Sequence, residues 1–362
     1  MSKADFEQFE IGTVFNPCVV EGQPHRVADQ IRLDYPSRLE AMALDPGQIA
    51  DNNNLVYRAG QIDITVPLFK EVTVTANGSG EAKLTETTPR QTLVRHAAAL
   101  MVQALDIKDG LTINVKDEVN LRHCGLGSSS SLIAGVASAI NEMYGKPVKP
   151  LHLVRYLAQN HGEEIDGDDK HLIPVQCIGG SAVCGNFPGG MIVLAGEATP
   201  IAQMEVSNEY SVVIGVPRDF DHPDSQQLMQ AEIDNMEGFR QTSNQYGKEI
   251  AYRLVHEVMP GMTEGNLKPA GDLVFDYRWN MGSIKNCSFV FPRMLDIAED
   301  LRSFHAEGTC DMLALSSVGP GFFAVTKDPE AARERFEANN MATYTTTVHN
   351  GTYVLKTEAE QS

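Results

Sequence analysis

Residues 124–131 run Cys-Gly-Leu-Gly-Ser-Ser-Ser-Ser, and an apolar-striped stretch follows at once. Glycine tolerates sharp turns and close backbone approach, so Gly125 and Gly127, with Leu126 between them, suit a loop that wraps a ligand. Ser128, Ser129, Ser130 and Ser131 would then open a helix whose first N–H groups have no intrahelical partner. Such an end carries partial positive charge and attracts anions, which points to a cradle for a di- or triphosphate. A serine-rich helix cap is the plainer reading, since caps favour hydroxyls. Two glycines and four successive serines exceed what capping requires. The run is not a Walker A loop, because no Gly-Lys-Ser/Thr follows, and it lacks the third glycine of the dinucleotide fingerprint.

Other groups could act beside this loop. Arg122 and His123 flank it directly. Arg38 and Glu40 are two apart on one apparent strand and so share a face. Arg58 and Asp63 follow on the next apparent strand. Surface ion pairing would explain all four, but arginine forks suit phosphate oxygens if they converge on the loop. His161-Gly-Glu-Glu-Ile-Asp-Gly-Asp-Asp-Lys-His171 is dense in carboxylates without EF-hand spacing, and reads as a solvated acidic loop in which Lys170 and His171 could meet an anion. Ile178–Gly190 holds five glycines, among them Gly180 beside Ser181, and could lie flat against a ligand or simply connect a hairpin. Ser316-Ser317-Val-Gly319-Pro-Gly321 is a fixed turn that could close a cleft over the first loop. No Ser-His-Asp or Cys-His triad can be argued from spacing.

These residues need elements to hold them. Leu132, Ile133, Val136, Ile140 and Met143 recur at helical spacing, with Gly145 and Pro147 as a stop. Leu111–Lys116 alternates as a half-buried strand just upstream, which is the strand–loop–helix context a phosphate loop requires. Segments near 36–45, 57–66 and 69–76 read as strands, as do 191–195, 210–216, 321–326, 342–348 and 352–356. Residues 91–106, 151–160, most of 223–258, and 291–307 read as helices. The elements do not alternate as a regular βαβα series, so the expected class is α+β. A polar stretch near 196–209 is the expected boundary, dividing the chain into 1–205 and 206–362.

The chain has 362 residues, ample for two cores, and 42% hydrophobic content. It carries 48 acidic and 29 basic residues, a formal charge of −19. That balance argues against nucleic-acid or membrane-surface partners. It also means that a polyphosphate would need a divalent cation, so Mg²⁺ is expected, with Ser128 and Ser129 as its nearest hydroxyls. The six cysteines show no zinc spacing and read as reduced thiols. The first residues have no apolar signal core, and the expected location is the cytoplasm. A homodimer is the expected quaternary state.

The loop at Gly125–Ser129, the early Pro36-Ser-Arg38 and the late Val318-Gly-Pro-Gly321 resemble, in order and spacing, the motifs of the GHMP kinases, a superfamily that includes galactokinase, homoserine kinase and mevalonate kinase. The resemblance implies an α+β two-domain fold, ribosomal-S5-like at the N-terminus and ferredoxin-like at the C-terminus. Within it, Ser37-Arg-Leu-Glu40, Ile62-Asp-Ile64, the middle Gly180-Ser181 segment, Met259-Pro260 with Glu264-Gly265-Asn266, and Ser316-Ser317 with Gly319-Pro320 are similar to the beta-ribofuranosylaminobenzene 5'-phosphate synthase branch and related C-glycoside synthases. Ser128–Ser131 stand where that branch has Gly-Ser-Gly-Thr, Val318 replaces a Trp, and Gly180 an Arg.

That closer resemblance implies a phosphoribosyl transferase. Phosphoribosyl pyrophosphate would sit on the loop, and an aromatic carboxylate would attack C1 with loss of pyrophosphate and CO₂. Asp63, Arg38 and Lys170 would be catalytic. Arg58, His123, Gly180, Ser181, Ser316, Ser317 and Gly319 would bind substrate. The alternative is an ATP-dependent small-molecule kinase with Asp166 or Asp168 as base; a ligand sensor on the same fold is a third reading.

Overall fold

Val72-Thr-Val-Thr-Ala76 alternates β-branched apolar and polar side chains, and in the computed structural model it is the end of one long strand, Gly60–Ala76. The structure describes residues 8–45, 59–117, 119, 123–175, 177–221, 223 and 225–356. The expected strands near 57–66 and 69–76 are thus a single element, continuous across a register shift opposite Tyr35 and Ser37. It pairs antiparallel with a second long strand, Gln30–Leu44, and with Leu111–Asp117. Ala82–Leu84, Met191–Ala195, Thr199–Met204 and Val354–Leu355 complete a seven-stranded sheet. The polar 196–209 stretch therefore contains a strand of this sheet. A second, four-stranded antiparallel sheet follows the order Met312–Leu315, Phe322–Thr326, Ser211–Pro217, Met341–Thr347.

Helices Gln91–Ala104, Ser128–Met143 and Pro150–Gln159 pack with the first sheet around a core containing Leu33, Tyr35, Val72 and Val74. The Ser128–Met143 helix has 14 buried residues of 16, so it is covered on all sides rather than striped. Its small residues make this possible: a Cβ on Gly135 would lie 3.1 Å from Tyr35 Cβ and 3.2 Å from Val72 Cγ2. The helix ends, as the stop signal requires, before Gly145, which has φ +81°. A second core joins Leu39, Ile62 and Met191 of the first sheet to the second sheet and the C-terminal helices, including Met294–Ala306. The 223–258 region is two helices, Ser225–Asp234 and Met236–Arg253, followed by the π-helical turn Leu254–Val258.

The acidic 161–171 segment is not a solvated loop. It forms a hairpin, Gly162–Ile165 with Asp168–Pro174, and Phe9–Glu10 adds a third strand. All six cysteines are free thiols, four of them buried. Among the described residues no helix is long and apolar enough to cross a membrane.

Candidate functional site

The glycine–serine run closes one wall of a cavity of about 240 Å³. Gly127 stands in left-handed backbone (φ +62°, ψ 37°) immediately before the Ser128–Met143 helix, and no side chain caps that helix. The serines therefore do not serve as caps. Ser131 donates back to the Gly127 carbonyl at 2.9 Å, and Ser129 donates to Glu163 at 2.8 Å. Residues 125–130 line the cavity, and the N–H groups of the helix start have no side-chain cap. Close packing holds the loop. A Cβ on Gly127 would collide with Ser181 Oγ, and one on Gly125 would collide with the Ser316 backbone. Ser181 Oγ accepts from Ser130 at 2.7 Å, and Ser316 Oγ donates to the Gly125 carbonyl at 2.7 Å.

An ionic bracket backs this wall. Arg90 is 9% exposed and in left-handed backbone (φ +49°) at the start of the Gln91–Ala104 helix. Its guanidinium donates to Glu164 at 2.7 Å, Glu163 at 3.3 Å and Ser128 Oγ at 3.3 Å. Burial alone would raise Glu163, but the His161 hydrogen bond and the Arg90 charge overcome it and hold the carboxyl down at about 2. Glu163 therefore lines the cavity as a fixed anion.

The long strands supply a second cluster. Arg38 lies 3.4 Å from Glu40 and 3.8 Å from Asp63, and donates to the Gly125 carbonyl at 3.4 Å. Asp63 is fully buried, and Gln61 Nε2 donates to both its oxygens at 2.7 and 2.6 Å. Burial pushes Asp63 up to about 7 against the pull of Arg38. Arg38, Glu40 and Gln61 line the cavity; Asp63 lies behind them.

The remaining wall comes from distant segments. Glu232, half-buried on the Ser225–Asp234 helix, is pushed up to about 7 by burial and by the charge of Glu40. Around it lie Leu228, Met229, Met236 and Phe239. Arg278 is 2% exposed and spends its donors on the protein: Ala41 O at 2.8 Å, Ser317 O at 2.9 Å, Glu40 O at 3.1 Å and Ser283 Oγ at 3.2 Å.

Residues 92–180 match the GHMP kinases N terminal domain. A 117-residue stretch is 27% identical to homoserine kinase from Thermoplasma volcanium, covering 32% of this chain and 34% of that protein's length. Whole-chain likeness is seen in solved structures. Mevalonate diphosphate decarboxylase from Staphylococcus aureus has a TM-score of 0.65 at 12% identity, over 91% of this chain and 98% of that one. Homoserine kinase from Cytophaga hutchinsonii has a TM-score of 0.58 at 14% identity, over 92% and 99%. A third, at 0.61 and 14% over 90% and 99%, was solved with MVAPP, AMPPCP and magnesium. The chain has the GHMP kinase fold.

These matches overturn the C-riboside reading. The matched family is one of kinases, and the sequence relative is a homoserine kinase. Phosphoribosyl pyrophosphate and an aromatic carboxylate lose their basis with it. The three departures from the synthase branch are consistent with that outcome. At Gly180, for one, a Cβ would strike Gln61 Nε2 and Asp63 Oδ2, so those side chains would have to move to admit one.

Within the GHMP kinase fold the expected residues separate. Arg38, His123, Gly125–Ser130, Ser317 and Gly319 line one cavity. Ser131 and Ser316 are buried braces. Ser181 braces Ser130, and Gly180 starts a short helix, Gly180–Asn186, where a flat ligand-binding loop was expected. Gly185 in that helix has no room for a Cβ against Tyr35, so glycine serves packing here. Lys170 is exposed on Asp168–Pro174, the middle strand of the hairpin sheet, and does not line the cavity. Asp168 accepts from His171 at 2.8 Å, Asp166 is exposed by the hairpin turn, and neither lines the cavity. Arg58 and Arg122 lie outside the described residues. Sequence reasoning missed Arg90, Glu163, Glu232 and Arg278. Only Glu163 carried a signal, as the carboxylate nearest His161 in the acidic run.

Proposed function

We propose that this chain is an ATP-dependent phosphotransferase acting on a small-molecule hydroxyl, with the β- and γ-phosphates of ATP on the Gly125–Ser131 loop. What carries this reading is the uncapped helix start at Gly127, whose serines bond elsewhere and leave the first-turn N–H groups for an anion. Phosphoryl transfer asks mainly for positioning and charge stabilisation, and rigid backbone donors supply both.

Magnesium fits the residues present. Glu163 is ionised, and its Oε2 stands 2.8 Å from the Ser129 hydroxyl, beside Ser128; carboxylate and hydroxyl oxygens suit a hard cation. Bound there with ATP, it would neutralise phosphate charge. Arg90 keeps Glu163 and Ser128 in place, and Asp63 positions Arg38, which touches the loop carbonyl of Gly125.

Titration calorimetry with Mg·ATP tests the reading. The wild-type chain should bind, and Ser129→Trp, whose indole would fill the loop, should weaken binding at least ~100-fold, or about 3 kcal/mol. Unchanged affinity in that variant would show that nucleotide does not use this loop.

A further inference from the structure

We infer that Met341–Thr347, the end strand of the second sheet, is a self-association surface on which a second copy of this chain pairs antiparallel about a two-fold axis. The inference stands apart from the phosphotransferase reading and gives the expected homodimer its interface.

The end of a sheet leaves a row of N–H and C=O groups open to another strand, and proteins blunt it with a short strand, a charge, a proline, a bulge or a cover. The other end strands of the two large sheets carry these devices. Thr199–Met204 contains Pro200 and has a register shift where it pairs with Val193 and Leu194. Ala82–Leu84 is three residues long and includes Lys83. Val354–Leu355 has two residues, and Met312–Leu315 is buried at all four positions. Met341–Thr347 has none of them. It is seven residues long, pairs with Ser211–Pro217 at every position without a shift, and contains neither charge nor proline. Among the described residues no backbone group bonds to its other side.

Charge favours a second copy as the partner. At a net −19, most ways of joining two copies would set one acidic surface against another. From Ala338 to Leu355 the sequence has no Asp, Glu, Lys or Arg, although 21% of the chain is charged. Pairing this strand with itself therefore puts no like charges across the seam. Glu337, on the helix alongside, accepts from Thr343 at 3.1 Å, and the same helix carries Arg333 and Arg335, so the rim has both signs. Tyr344 and Thr345 are exposed on the strand, and tyrosine and threonine pair well with threonine across strands. An open strand of this composition would recruit copies without limit. Two of them closed about a two-fold axis satisfy both edges at once and end the growth.

Sedimentation velocity on the full chain tests the inference, with circular dichroism to check the fold of each variant. The wild type at ~50 μM should sediment as a dimer. Thr345→Lys adds the charge that blunted edges carry and should raise the dimer dissociation constant at least ~10-fold. Ile201→Lys, at an exposed position of the proline-containing end strand, should leave it unchanged. Hydrogen exchange gives a reading that needs no substitution: amides of 341–347 should exchange faster after ~100-fold dilution, and those of 199–204 should not. A wild-type monomer at ~50 μM overturns the inference, as does exchange in 341–347 that ignores dilution. So does a dimer that Thr345→Lys leaves as tight as before, or one that Ile201→Lys loosens instead.

Discussion

The two walls of the cavity are made of different material. The Gly125–Ser130 wall is one continuous stretch of backbone, held by glycine packing and serine braces. The facing wall presents side chains from separate elements: Glu40 on a long strand, Glu232 on a helix, and Tyr277 and Arg278 from a π-helical turn. Backbone charge cannot be mutated away except by changing the backbone path, whereas a side-chain wall changes with one substitution. The first wall therefore suits a ligand common to many enzymes, and the second suits one that differs between them.

The sharpest way to break this contrast is at Gly127. Gly127→Val places a β-branched residue at φ +62° with its Cβ against Ser181 Oγ and 3.0 Å from Arg38 Nε. Mg·ATP affinity should fall ~100-fold or more in calorimetry, because the loop must move. Nearly wild-type binding would mean that the wall tolerates a new path. Arg90→Met comes next. It leaves Glu163 and Glu164 without their cation, and kcat/KM should drop ~30-fold with a loss on the order of 2 kcal/mol in urea unfolding. A variant as stable and active as the parent would show that the bracket is dispensable.

Asp63→Asn should cost less, ~5-fold in kcat/KM, since Glu40 and Gly125 still hold Arg38 and the charge lost is one that burial already disfavours. A drop as large as that of Gly127→Val would make Asp63 a participant instead of a positioning residue. The smallest effect on activity is expected at His96, which accepts from Gly12 N at 2.9 Å and bonds the Asn160 carbonyl at 2.7 Å, just before the strand that carries Glu163. Burial pushes His96 down to about 4 from 6.5. Between those values the unfolded chain binds a proton that the folded chain does not. Stability from this group is therefore full above pH 6.5 and lost as pH falls toward 4, by about 3 kcal/mol. Subtracting a His96→Gln series from the wild-type series in thermal melts should isolate that slope; parallel curves would contradict it.

Legibility followed the same divide. The strand–loop–helix unit at 111–143 was readable because turn chemistry, helix stop and apolar spacing are all local. The Glu163 hairpin was not, because carboxylates in a row look solvated until Arg90, 73 residues away, is brought against them. The glycines at 180 and 185 also misled, since the same residue type that opens a ligand loop lets a helix pack on Tyr35 and Gln61. The family resemblance located the fold, while its finer branch failed, because motifs of glycine and serine report a shared backbone path and say little about the acceptor.

By itself, then, the linear chain determined a glycine-hinged helix start at Gly127, and that strands and helices of mixed order would surround it. Those properties depend on φ, on periodicity and on the few residues either side. Tertiary structure alone decided which carboxylates face the cavity, which arginines are spent on backbone carbonyls, and which glycines are fillers of tight space. Burial and charge pairing depend on neighbours far apart in sequence, and only the folded packing brings them together.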